Sequence, residues 1–123
     1  PGFSISSTYG GETLSLAACK ATVKTFRDCN VIGHIRKQGD YLWGNLNEMF
    51  KSEGIPVSIK GISACPSFTS TCGFVERFMR ASYAAGVSLY NVSYVNFSHK
   101  REDCDEALSR FASAIEALKK EGI

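Results

Sequence analysis

The residues best equipped for chemistry stand near the start of the chain, in Ser6-Ser7-Thr8-Tyr9-Gly10-Gly11-Glu12. A short extended run, Phe3 to Ser6, precedes them, and a helical pattern begins near Thr13. A strand-to-helix turn with hydroxyls and glycines can hold an anion. Free N–H groups at a helix start point outward, the helix dipole favours negative charge, and a Ser or Thr hydroxyl adds a donor. Glycine lets the backbone come close to a phosphate without a Cβ in the way. The alternative is an ordinary helix start, with Ser7 or Thr8 as cap and the glycines making the turn. Glu12 bears on the choice, because a carboxylate in the first turn competes with a phosphate for the same N–H groups.

Other reactive side chains form no recognisable centre. Cys19, Cys29, Cys65, Cys72 and Cys104 are odd in number and contain no Cys-x-x-Cys pair. That pattern fits a reducing compartment better than a disulfide framework. Cys65, Cys72, His99 and Cys104 are the only candidates for zinc, and their spacing matches no standard site, so no metal is expected. Cys19 and Cys104 fall among helical apolar positions, which predicts core packing. A cysteine hydrolase would need Cys65 or Cys72 oriented by His99, and nothing in the spacing does that. Asn91-Val92-Ser93 and Asn96-Phe97-Ser98 fit the glycosylation acceptor pattern, but no secretion signal accompanies them.

The chain of 123 residues is long enough for one domain with a modest core. Its 44% hydrophobic and 21% charged residues are ordinary for a globular protein. A net charge of +2 gives no basic footprint for nucleic acid. No run is apolar enough to span a membrane, and Pro1-Gly2-Phe3 does not open a signal peptide. A cytoplasmic location is the expectation. The absence of an initiator Met suggests a processed, tagged or excised piece.

The elements that must position these residues follow from periodicity. Residues 13–28 read as a helix with a narrow face of Leu14, Ala17, Ala18, Ala21 and Thr25, suited to close packing against another element, one outside this chain if the parent protein is larger. Asn30 can cap a second helix, whose Ile32, Ile35, Gly39, Leu42, Trp43, Leu46, Met49 and Phe50 recur at three- and four-residue steps. Trp43 and Met49 at this spacing predict core, and His34 lies at the helix edge. Gly54 and Pro56 stop this helix. Val57 to Ile62 alternates as a strand, and a second strand is expected within Ser63 to Thr71, with Pro66 marking its start or a bulge. Phe74, Val75, Phe78, Met79 and Ser82 mark a third helix that ends at Gly86. Val87 to Tyr90 and Tyr94 to Phe97 read as short strands. Ser98 starts the last helix, which has acidic residues early, Lys119 and Lys120 late, and Cys104, Ala107, Leu108, Phe111, Ile115 and Leu118 inside. The order predicts an α+β fold: a small, mostly antiparallel sheet with helices on one side and a long N-terminal helix.

The segment from Ser7 to Ala18 resembles the one that opens the C-terminal domain of class III (fold-type I) pyridoxal-phosphate aminotransferases. The nearest likeness is to glutamate-1-semialdehyde aminomutase and related aminotransferases. The block Gly86-Val87-Ser88-Leu89 followed by Ser98-His99-Lys100-Arg101-Glu102-Asp103 resembles the end of the same family, so the likeness covers nearly the whole chain. It implies one C-terminal domain over 1–123, with strand, cofactor turn and connecting helix in 1–30 and an α+β sandwich in 31–123. It implies that Thr8 donates to the phosphate of pyridoxal 5'-phosphate held by a second subunit, with Tyr9 and Gly10 beside it. The hairpin of the middle region would then report toward the active-site wall.

The same likeness limits what the chain can do alone. In this family the cofactor-anchoring lysine and the acid facing the pyridine nitrogen lie in the large domain, before the Thr8 segment. Lys20, Lys24, Lys37, Lys51 and Lys60 read as solvated, so no catalytic residue is expected here. The partners implied are the large cofactor-binding domain of the same chain, a second subunit, and a small amino-group donor or acceptor. Many relatives carry an arginine on the strand before the last helix, and the aminomutases an acid nearby. Tyr90 to Phe97 has neither. Asn91 and Tyr94 suit instead a polar, uncharged substrate, such as a sugar or amino-alcohol; the alternative is that they only fill a strand. The competing reading of the whole chain is a free-standing α+β module that binds a partner protein or small anion.

Overall fold

The computed structural model describes residues 8–71 and 73–122. The extended run at Phe3 to Ser6, Ser7 and Cys72 lie outside the described residues. The elements in chain order are α1 (Thr13–Asp28), α2 (Val31–Ser52), β1 (Val57–Ile62), β2 (Cys65–Ser70), α3 (Phe74–Ala84) and α4 (Arg101–Lys120). The fold is α+β, with one antiparallel hairpin as its sheet. The chain divides into two compact units, Pro1–Ile32 and Gly33–Ile123.

In the first unit, α1 starts at a cap the sequence did not single out. Glu12, not Thr8, receives the free amides: its carboxylate accepts from Leu14 N at 2.7 Å and Ser15 N at 2.6 Å. Gly10 and Gly11 make the turn before it, closed by the Glu12 amide donating to the Tyr9 carbonyl at 3.1 Å. No residue of α1 is buried. The small-residue face and Cys19, expected to pack, are exposed. An amphipathic pattern says which face a helix can bury, not what lies against it. Asn30 takes a left-handed φ of 47°, which asparagine tolerates, between α1 and α2.

In the second unit the core forms where the sequence pattern put it. Leu42, Trp43, Leu46 and Phe50 of α2 meet Val57 and Ile59 of β1, Val75 and Phe78 of α3, and Phe111, Ile115 and Leu118 of α4. Phe78 sits at the centre, 4.8 Å from the Phe50 ring and 5.6 Å from that of Phe111. The hairpin runs in the register Val57↔Ser70 to Ile62↔Cys65, which turns Val57 and Ile59 inward. Asn47 of α2 satisfies the outer edge of β1: its amide donates to the Ile59 carbonyl at 3.0 Å and its oxygen accepts the Ile59 N–H at 2.8 Å. Gly39 lets α2 approach the hairpin turn, since a Cβ there would lie 2.3 Å from the Ser63 carbonyl oxygen.

Residues 87–90 and 94–97 are not strands. Among the described residues the bond from Val95 N to the Ala64 carbonyl at 3.2 Å is what ties them to the hairpin, and the one bridge nearby, Ser67↔Val92, falls between the two runs. Local bonds take the place of a ladder. Gly86, at φ 86°, ends α3 and lets Val87 N reach back to the Ser82 carbonyl at 2.8 Å. The Ser93 hydroxyl donates to the Tyr90 carbonyl at 3.1 Å, and the Asn96 side chain accepts from Ser98 N at 2.9 Å. Ser and Asn side chains offer the backbone partners of its own, and alternation in the sequence cannot register that competition. The last helix begins at Arg101 rather than Ser98, with Asp103 accepting from Lys100 N at 2.8 Å.

Candidate functional site

The residues singled out in the sequence lie at two places. Thr8, Tyr9 and Gly10 belong to the first unit, and Asn91 and Tyr94 to the second.

Thr8, Tyr9 and Gly10 are all exposed on the turn that precedes Glu12. The Glu12 carboxyl is held below its usual range, first by the Ser15 side chain and then by the Ser15 and Leu14 amides. It therefore stays ionised near neutrality and occupies two donors that a phosphate would need. The helix start does not fit a phosphate site. What the turn has to offer an anion is the Thr8 hydroxyl and the backbone just before Glu12. A glycine at position 11 is not demanded by crowding, since a Cβ there meets no atom within 4 Å.

The lysines bear on covalent chemistry. A lysine that attacks a carbonyl near neutral pH has to lose its proton, which burial or a neighbouring cation brings about. All eight, from Lys20 to Lys120, are exposed. Lys119 is held above its usual range by its bond to Glu53.

The second place is a cavity of about 370 Å³ within the second unit, between the 87–95 segment and helices α2 and α4. Its apolar wall includes Leu42, Trp43, Val95, Ala107 and Phe111. Tyr94 lines it, as do Tyr90 and Ser93, and Asn91 is exposed on the same segment. Of the lining residues only Tyr94 was foreseen as a site residue; among the others Trp43, His99 and Asp103 carry polar groups. Trp43 donates its indole N–H to the Ser63 carbonyl at 2.9 Å, and its ring meets Phe68 edge-on at 5.8 Å. Its helical spacing pointed to core, and it is both core and cavity wall. His99 Nδ1 accepts the Asn96 amide at 3.2 Å, and the His99 carbonyl lies 2.7 Å from Nε2 of His34. His34 is thus a helix-edge residue, half-buried and edge-on to Phe97 at 5.1 Å. Cys104 is buried, and desolvation, followed by the nearby charges of Asp103 and Asp105, pushes its thiol above the usual range. It packs, as its spacing predicted. No cluster of metal-ligating side chains occurs among the described residues, and no helix there is long and apolar enough to cross a membrane.

No family model matches this chain, and no curated protein matches it. Among solved structures it is similar to the FumI protein of Sphingopyxis sp. MTA144, described as the pyridoxal-phosphate internal aldimine form, with a TM-score of 0.85 and 16% identity. The likeness covers 97% of this chain and 30% of that one, so the chain spans about a third of that protein's length. At this identity the fold is what the two share.

Proposed function

We propose that the chain is the C-terminal domain of a pyridoxal-phosphate-dependent enzyme, an aminotransferase or aminomutase of the class III, glutamate-1-semialdehyde aminomutase-like kind. The observation that carries the reading is the fold likeness, over 97% of the chain, to a protein solved with pyridoxal phosphate. The partners are a large cofactor-binding domain in the same polypeptide and a second subunit, in the cytoplasm. When bound, the cofactor supplies an electron sink for bond cleavage next to an amine. The exposed lysines of this chain are consistent with an anchoring lysine elsewhere, and the isolated domain is catalytically silent.

In this reading the Thr8 hydroxyl donates to the cofactor phosphate across the dimer interface, with the backbone of Tyr9 and Gly10 alongside. The contact comes from the turn and not from the helix start, because Glu12 already takes the Leu14 and Ser15 amides. Asn91 and Tyr94 form a neutral wall toward an uncharged, polar part of the substrate. The test is visible absorption of the whole parent polypeptide with pyridoxal phosphate, before and after adding amines. A cofactor band that shifts with an amine supports the reading; a protein that never takes up the cofactor overturns it.

A further inference from the structure

We infer that the cavity between the 87–95 segment and helices α2 and α4 is a binding site for a small molecule with an apolar body and a hydroxyl head. The inference needs no cofactor, although the cavity shares Tyr94 with the substrate wall proposed above. The cavity's volume, about 370 Å³, falls within the range of roughly 300–1,000 Å³ typical of small-molecule pockets. Its wall of Leu42, Trp43, Val95, Ala107 and Phe111 gives an alkyl or ring body an apolar surface to cover.

The head group follows from the polar residues that line the same cavity. His99 Nδ1 accepts the Asn96 amide, so in the neutral ring the proton is on Nε2, and Nε2–H is the group His99 has to offer. Among the described residues no protein group accepts from it. Asp103 uses Oδ2 on the Lys100 amide, which leaves Oδ1 as an acceptor. A hydroxyl is the head group able both to accept from the first and to donate to the second. A carboxylate head meets the Asp103 charge, and an ammonium head meets the His99 donor. The groups present therefore select an alcohol over an acid of the same length.

Trp43 is the single tryptophan of the chain and lines the cavity, so its fluorescence reads occupancy directly. The experiment titrates the chain with 1-hexanol and, separately, with hexanoate. The expected result is a saturable change with 1-hexanol and affinity for hexanoate weaker by about tenfold or more, the worth of one hydrogen bond to a charged group. Ala107→Leu, which fills the cavity from α4, should abolish the 1-hexanol response while a far-UV circular dichroism melt shows the protein folded. Asp103→Asn should narrow the discrimination between alcohol and acid. A linear, non-saturating response to 1-hexanol, equal affinity for hexanoate, or an unchanged response in a folded Ala107→Leu protein would overturn the inference. Should Ala107→Leu not fold, the alcohol-against-acid comparison on the unaltered chain decides alone.

Discussion

Two glycines on α2 should respond in opposite directions to the same substitution. In a helix interior, Gly→Ala gains about 1 kcal/mol, because alanine loses less backbone freedom on folding. At Gly44 a Cβ meets no atom within 4 Å, so Gly44→Ala should show the whole gain. At Gly39 the added Cβ would lie 2.3 Å from the Ser63 carbonyl oxygen, 2.7 Å from its carbon and 2.9 Å from the Ser63 Cβ. These are mostly backbone atoms of the hairpin turn and cannot rotate away. Relieving such an overlap costs about 1–3 kcal/mol. The same carbonyl accepts the Trp43 indole at 2.9 Å, and losing that bond costs about 1 kcal/mol more. After the helix gain is subtracted, Gly39→Ala should be destabilised by about 1–3 kcal/mol, which puts it about 2–4 kcal/mol below Gly44→Ala. Urea unfolding followed by Trp43 fluorescence measures both, and folded Gly39→Ala should also show altered emission. The turn holds Val95 through the Ala64 carbonyl, so the substitution should disturb the cavity wall as well. If Gly39→Ala matches Gly44→Ala in stability with unchanged emission, the close approach of α2 to the hairpin is wrong.

Asn47→Ala removes both bonds that satisfy Ile59 at the outer edge of β1 and should cost about 2 kcal/mol in urea unfolding; a loss below about 0.5 kcal/mol would mean that water replaces the side chain. The Glu12 carboxyl is lowered in the folded state, so its cap contributes stability above the ordinary carboxyl value and loses it as pH falls through the lowered one. Amide hydrogen exchange at Leu14 and Ser15 should therefore accelerate, beyond the intrinsic pH effect, only on the acid side of that range, and Glu12→Ala should show the fast exchange at neutral pH; equal protection in both proteins would refute the cap.

Much of the second unit was legible because apolar spacing and glycine stops are local signals. The α2 row of Leu42, Trp43, Leu46 and Phe50, the alternation of Val57 and Ile59, and the inner face of α4 all fold as the spacing predicts. The runs 87–90 and 94–97 were misread because Ser93 and Asn96 satisfy the local backbone with their own side chains. The cap of α1 and the start of α4 were misplaced for a related reason, while α1, α2 and α3 begin where the spacing predicts. Several of Ser7, Thr8, Glu12, Ser98 and Asp103 can cap, and only the geometry selects Glu12 for α1 and Asp103 for the Lys100 amide at α4. The cavity was not legible at all. Trp43, Tyr94, His99 and Asp103 come together through packing among α2, the 87–95 segment and α4, and nothing in their spacing along the chain announces it.

The contact proposed between the Thr8 hydroxyl and the phosphate of a bound pyridoxal cofactor has a direct readout. The direct measurement is cofactor dissociation from the full parent polypeptide, compared among the unaltered protein, Thr8→Ser and Thr8→Val. A charge-assisted hydrogen bond is worth about 1.5–3 kcal/mol, so Thr8→Val should release the cofactor about ten- to a hundredfold more readily, and Thr8→Ser should retain most of the affinity. Equal retention in Thr8→Val and the unaltered protein would contradict the account.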